Sequence, residues 1–199
     1  MKVYTHYTVA SLSNTYLIGP DHGGEAILVD PGSFDGRLLE LIEGNKYYLS
    51  HILITHVEEN HVSGLKTLKK IYDAEIHAAG TRQLYSFPCA PVQSGQTVKL
   101  GEFDVEAIGV PAHTRDSLMY RIGHMIFAGD VFSAGVVGDV PNPYARALLV
   151  ETVREQLHDF PPHTVIFPCH GPPTTWAIER ASNPDITSSA GDEGAQASL

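Results

Sequence analysis

The sequence predicts an α+β fold in which sheets are covered by helices on their outer faces. Three observations carry this expectation. Short apolar or β-branched runs recur between Gly and Pro turns. Segments with Leu, Ile and Val at helical spacing are set among them. His or Asp stands repeatedly just past an apolar run. The pattern falls into two halves, each mixing strands and helices.

Residues 3–9 alternate and are β-branched, residues 14–18 form a second strand, and residues 26–30 form a buried run ending at Pro31-Gly32. Joined by the turn at 19–24, these predict an antiparallel meander. Residues 34–43 place Phe34, Leu38, Leu39, Leu41 and Ile42 at helical spacing, with Gly44 as the stop. A strand follows at 51–55, a polar loop at 56–61, and an amphipathic helix at 64–71 with Leu65, Leu68 and Ile71 in one stripe. A strand is expected at 74–78 and a helical turn at 81–85. Strands separated by Gly follow at 96–100, 103–110, 117–122 and 125–128. A helix at 146–160 carries Leu149, Val153 and Leu157 along one face. The last strand, 164–168, leads into the loop Cys169-His170-Gly171-Pro172. From residue 183 the chain is small and polar, so residues 1–182 are expected to fold as one domain and 183–199 to form a disordered tail.

At 199 residues the chain has the size of one domain. With 43% hydrophobic and 18% charged residues its composition is ordinary for a globular protein. The absence of an apolar run of about 18 residues argues against a membrane span. The opening MKVYTHYTV has no apolar core or cleavage site, so no signal peptide is expected. Thirteen Lys and Arg against 23 Asp and Glu give a net charge of −10, which argues against nucleic acid and anionic membranes as partners. Two cysteines, Cys89 and Cys169, make no disulfide framework, which suits a reducing cytoplasm. The anomaly is eleven histidines, about twice ordinary usage.

Some of them stand where metal ligands would. In Thr55-His56-Val57-Glu58-Glu59-Asn60-His61 the residues His56, Glu58 and Asn60 alternate and His61 follows directly. The cluster lies at the end of a buried strand, where sites in β/α folds gather. Bringing four polar groups together on one short loop costs little entropy. Taken alone, the segment reads equally well as a solvated loop. Three more segments repeat the placement: His113 in VPAHTRDS, Asp130 in FAGDVF and His170 in FPCHGP. A buried carboxylate needs a partner, and Asp130 follows an apolar run with no Lys or Arg nearby. A metal is the natural partner. Asp30, ending its own strand, is placed to buttress the ligand loop. His6, His22, His51, His77, His124, His158 and His163 read as packing or surface residues.

In this order the chain resembles the metallo-β-lactamase superfamily, whose pattern is His-x-His-x-Asp-His followed by His, Asp and His. Glu58 at the second ligand position makes it similar to the diiron domain of flavodiiron proteins, whose loop reads His-x-Glu-x-Asp-His. The flanks His56-Val57-Glu58, 113–120 and Cys169-His170-Gly171-Pro172 agree with that branch. The likeness spans roughly residues 5–176. It implies an αββα four-layer sandwich and two metal ions. His56, Glu58 and His113 would hold the first, Asn60, His61 and His170 would surround the second, and Asp130 would bridge them. Of the histidines, His61 is the one the family does not always ligate. Asn60 and Tyr120 are the residues expected to act on a ligand, Tyr120 because its flank approaches the site.

Two departures qualify the likeness. Asn60 replaces an Asp, so Glu58 and Asp130 supply −2 against the +4 of two divalent ions, where the pattern supplies −3. The second metal is expected to bind less tightly and to favour Fe(III) less. The stretch after Trp176 is too short for a flavodoxin domain, so no flavin is expected in this chain and electrons would come from a separate redox partner. Glu58 tilts the first site towards Fe or Mn over Zn. The resemblance thus implies a two-iron protein that binds or slowly reduces a diatomic ligand such as O2 or NO, as a sensor or scavenger working with a redox or signalling partner protein. The alternative is a metal-dependent hydrolase of a thioester, lactone or related ester. Homodimerisation stays open.

Overall fold

The computed structural model describes residues 1–111 and 113–187. The chain opens with β1 (Lys2–Thr8), β2 (Ser13–Gly19) and β3 (Gly24–Val29), followed by α1 (Gly36–Gly44), β4 (Tyr47–Leu53), α2 (Glu59–Val62), α3 (Leu65–Ile71), β5 (Glu75–Ala79), β6 (Gln83–Leu84) and β7 (Phe87–Val92). The second half holds β8 (Thr97–Leu100), β9 (Phe103–Gly109), β10 (Leu118–Ile122), β11 (Met125–Gly129), β12 (Phe132–Ser133), β13 (Val136–Val137), α4 (Pro143–Leu157), β14 (Val165–Pro168), β15 (Thr174–Thr175), α5 (Trp176–Ser182) and α6 (Pro184–Thr187).

The first sheet runs β1-β2-β3-β4-β5-β7-β6 and the second β15-β14-β11-β10-β9-β8, while β12 and β13 form a small hairpin. The expected meander is present, since β1, β2 and β3 pair antiparallel. Strands β3, β4, β5 and β7 are parallel. Their apolar runs are buried on both faces, as parallel strands require. On one face, Leu28, Ile52 and Ile76 pack under Leu38 and Ile42 of α1 and Leu65 and Leu68 of α3. On the other, Ile27, Val29 and Leu53 meet Val105, Leu118, Tyr120 and Phe127 of the second sheet. The far side of that sheet, with Met119, Ile126 and Ile166, is covered by Leu149, Val153 and Leu157 of α4 and Trp176 of α5. The layers are therefore helix, sheet, sheet, helix, the expected αββα sandwich.

Local chemistry sets the ends. Asp35 caps α1 by accepting from the Arg37 and Leu38 amides at 2.9 and 3.0 Å, and Asn142 caps α4 by accepting from the Ala145 amide at 2.9 Å. The expected helical turn at 81–85 is instead the hairpin of β6 and β7. The two prolines of β7 argue against a strand by themselves. They are tolerated because only the two-residue β6 covers that edge. The polar loop at 56–61 contains one helical turn, α2. The expected tail boundary at residue 183 falls inside packed structure. Asn183 is fully buried and bonds Glu179 at 2.6 Å, and Asp185 of α6 holds Arg146 at 2.6 and 2.7 Å. The rest of that expected tail, 188–199, lies outside the described residues. Among the described residues no helix is long and apolar enough to cross a membrane.

Candidate metal centre

The C-terminal ends of β3 and β4 in the first sheet and of β11 and β14 in the second meet along one rim. Backbone bonds from Leu118 to Thr55 (2.8 Å) and from Asn14 to Cys169 (2.7 Å) tie the sheets there. The Asn14 side chain donates to the carbonyls of Pro168 and Gly171, fixing the loop that carries His170. Two glycines allow the close approach. Gly129 has φ +53°, and a Cβ on it would stand 2.4 Å from Thr55 Oγ1. A Cβ on Gly32 would stand 2.1 Å from the Asn60 carbonyl oxygen. The turn Pro31-Gly32 and the Gly before Asp130 thus let the ligand segments touch.

His56, Glu58, His113 and Asp130 form one group whose ligand atoms lie within 4.8 Å of one another, and His61, Asp130, Cys169 and His170 form a second. Asp130 belongs to both, with one oxygen facing each. Its Oδ2 is 3.8 Å from His56 Nε2 and 3.9 Å from His113 Nε2, and its Oδ1 is 3.4 Å from His61 Nε2 and 3.5 Å from His170 Nε2. Glu58 completes the first group, 3.7 Å from His56 Nε2 and 3.5 Å from His113 Nε2. The arrangement is that of a binuclear metal site.

Three of the four imidazoles are hydrogen-bonded through their other nitrogen. His113 Nδ1 is 2.6 Å from the Asp139 carbonyl, His170 Nδ1 is 2.9 Å from the Leu12 carbonyl, and His56 Nδ1 is 3.2 Å from Thr55 Oγ1. His61 Nδ1 is 3.1 Å from Asp30 Oδ2, off the line of a regular hydrogen bond. Asp30 also accepts from the Thr55 amide and hydroxyl, both at 2.8 Å. It buttresses the ligand loop as the sequence implied, with the His61 ring beside it. Such partners fix the tautomer and aim Nε2 inward. The aim leaves buried atoms without partners: His56, His61 and His113 Nε2 and Asp130 Oδ1. Orphaned buried polar atoms are costly and rare. Four converging on one spot fit a pair of cations.

The charges agree. Burial disfavours a proton on His61, but Asp30 and Asp130 beside it raise its proton affinity far above the ordinary histidine range. Burial and neighbouring His61 lower His56. Asp130 is buried, yet its contacts with His61 and the fields of His56 and His170 hold it below the usual carboxylate range. Burial raises the Cys169 thiol to about 11, and its sulfur lies within reach of the second group.

Two expected residues stand differently. Tyr120 is fully buried between the sheets, and its hydroxyl donates to the Ile54 carbonyl at 2.9 Å, so it belongs to the core and not to the cluster. Asn60 reaches the cluster, but its Nδ2 is 3.3 Å from His170 Nε2. With His170 Nδ1 committed to Leu12, the amide donates to the lone pair a metal would use. The residue reading missed the anchors Leu12 and Asp139, which act through backbone carbonyls and leave no side-chain signal. It also missed Asp116, which accepts from the Val57 amide at 2.9 Å. Beside the cluster a cleft of about 290 Å³ is lined by His113, Asp130, Asp139 and His170 and by Phe132 and Val136 of the β12–β13 hairpin. No Lys or Arg is among its described lining residues.

A family profile described as the metallo-beta-lactamase superfamily matches residues 9–170. Hydroxyacylglutathione hydrolase GloC of Haemophilus influenzae is 28% identical over 199 residues, covering 88% of this chain and 93% of its own length. The crystal structure of ETHE1 from Myxococcus xanthus superposes with a TM-score of 0.84 at 24% identity, covering 95% of this chain and 86% of that one. That of TTHA1623 in a di-iron-bound form has a TM-score of 0.75 at 25% identity, covering 92% and 99%.

Proposed function

The chain belongs to the metallo-beta-lactamase superfamily, and from that premise we propose that it is a two-iron protein that binds a diatomic ligand such as dioxygen or nitric oxide. One observation carries the reading. Glu58 stands 3.7 and 3.5 Å from the inward nitrogens of His56 and His113, so the first half offers two imidazoles with Glu58 and the shared Asp130, and the second two imidazoles with Asp130. Imidazoles with carboxylates and open positions form the facial donor set of non-haem ferrous sites, a set that zinc accepts too. The likeness to TTHA1623 in a di-iron-bound form supports the same assignment.

His56, Glu58 and His113 would hold one ion, His61 and His170 the other, and Asp130 both. When bound, a ferrous pair supplies open coordination positions and up to two electrons, so full reduction of dioxygen would draw on an outside redox partner. The chain's own residues shape what enters. Phe132 and Val136 give the cleft an apolar wall, while Asp130 and Asp139 make it acidic. A small neutral ligand fits against that apolar wall, next to the two ions the rim would hold. Asn60, donating towards His170, places a hydrogen-bond donor beside the second half.

The second reading is hydrolysis of a thioester, lactone or related ester, favoured by the likeness to GloC along nearly its whole length. A glutathione conjugate carries carboxylates and would want cations in the cleft wall, which the described lining residues do not provide. The deciding experiment loads metal-free protein with Fe(II) without oxygen, measures iron per chain, and then adds dioxygen or nitric oxide. Two irons and a new visible band, absent from zinc-loaded protein and from Glu58→His, are expected. No response to either gas, together with thioester or lactone cleavage by the zinc form, would overturn the reading.

A further inference from the structure

Three donors outside the rim converge on the inner face of the first sheet. Along parallel β4 and β5, His51 pairs with Glu75 and Leu53 with His77. Alternation therefore puts His51, Glu75 and His77 on one face, towards the second sheet. His51 Nδ1 is 3.2 Å from His77 Nε2, and Glu75 Oε2 is 3.5 Å from His77 Nε2 and 4.0 Å from His51 Nδ1. We infer that His51, His77 and Glu75 form a separate site for a divalent transition ion of the zinc class, with His51 five residues before His56 in the chain.

The distances decide between this and ordinary packing. A triangle with sides of 3.2, 3.5 and 4.0 Å has a circumradius of about 2.1 Å, the length of Zn–N and Zn–O bonds. One point is thus at bonding distance from all three atoms. A hydrogen bond between the rings explains the shortest side only. The carboxylate oxygen is at or beyond hydrogen-bond range of both nitrogens, yet it sits over the same point. His77 is buried and His51 partly so, while Glu75 is exposed. The donors are therefore held by the sheet on one side, and the fourth position opens to water. Glu25 on β3 is near enough to act on His51 and adds negative field. An ion there would clamp β4 to β5, the strands whose pairing supports the loop carrying His56. The inference does not depend on which metal or chemistry the rim uses.

The test titrates metal-free full-length protein with Zn²⁺ against a chromophoric chelator and follows the histidine ring signals by NMR. Wild type should bind one equivalent more than His51→Gln, His77→Gln or Glu75→Gln. Asp130→Asn, which removes the carboxylate shared at the rim, should keep that equivalent. The ring signals of His51 and His77 should move with it. Glu75→Gln alters an exposed side chain, so lost binding in that variant is not lost folding. If Glu75→Gln and His51→Gln bind as much Zn²⁺ as wild type, or if the signals of His51 and His77 in Asp130→Asn ignore Zn²⁺, the site does not exist.

Discussion

His61 and His77 are both buried in the same half of the molecule, and they hold their protons in opposite ways. His61 stands 3.1 Å from Asp30 and 3.4 Å from Asp130, carboxylates that are 3% and 12% exposed. Its proton affinity is driven far up. His77 stands 3.5 Å from Glu75, which is 59% exposed, and burial pushes it down to about 4. Distance to a carboxylate is nearly the same in the two cases. What differs is that His61 has two carboxylates, both buried with it, whereas His77 has one, screened by water, and His51 beside it. A histidine whose acids are buried with it holds a proton that an arriving metal ion must displace, whereas one whose acid is solvated stays neutral.

The largest effect expected from breaking this contrast is at Asp130. Asp130→Asn removes the one carboxylate with an oxygen in each half of the rim, so metal retention should fall from two rim ions to none after dialysis against a weak chelator. Elemental analysis reads this directly. An unchanged metal content would show that the two halves do not share the residue.

Acid sharpens the contrast next. His77, facing Glu75 and His51, binds its proton near pH 4 when folded and near 6.5 when unfolded. Between those values the unfolded chain holds more protons, so stability falls as the pH falls, by roughly 3 kcal/mol when the window is crossed. His61 in the metal-free protein has the reverse sign. Its folded affinity is raised, so its contribution is full below about 6.5 and declines as the pH rises. Urea unfolding of metal-free wild type and His77→Leu at pH 7 and 4.5 separates the two, because the acid-side loss should shrink in the variant.

The third effect is at Asp30→Asn. Asp30 has φ +50°, a conformation Asn accepts readily, so the backbone is preserved. An amide still accepts from the Thr55 N–H but no longer offers His61 a carboxylate. Removing such a partner commonly costs 10–100-fold in metal affinity. The loss should be larger for the second ion than for the first, which feels Asp30 only through Thr55 and His56, as a competitive titration with Co²⁺ would show.

Most of the rim was legible in the sequence because each ligand ends an apolar run. Runs such as 26–29, 52–54 and 125–128 are unambiguous when both faces of a strand are buried, and they locate Asp30, His56 and Asp130 in one stroke. Tyr120 was misplaced because a flank gives sequence neighbourhood, not direction; in β10 its side chain alternates inward and spends its hydroxyl on Ile54. The β6–β7 hairpin was hidden by prolines that an edge tolerates. His51 and His77 looked bland because their meeting depends on the parallel register of β4 and β5, which no local pattern states.

Asn60 is where the two halves of the rim differ in charge, and the smallest of the four effects tests it. The first half contains Glu58, while the second has an amide whose nitrogen lies 3.3 Å from His170 Nε2. Asn60→Asp changes neither size nor shape. It replaces a donor by an acceptor and adds one negative charge, which at an effective dielectric of 20 is worth up to about 4 kcal/mol at 4 Å before desolvation. Much of that is consumed by burying the carboxylate beside Asp130, so a tightening of the second ion by about tenfold is expected. The first ion should be unaffected. A more negative second half also favours the ferric state, so the iron-loaded variant should oxidise in air faster than wild type. If neither the affinity of the second ion nor the oxidation rate moves, Asn60 does not face the metal, and the acidity of the second half is set by Asp130 alone.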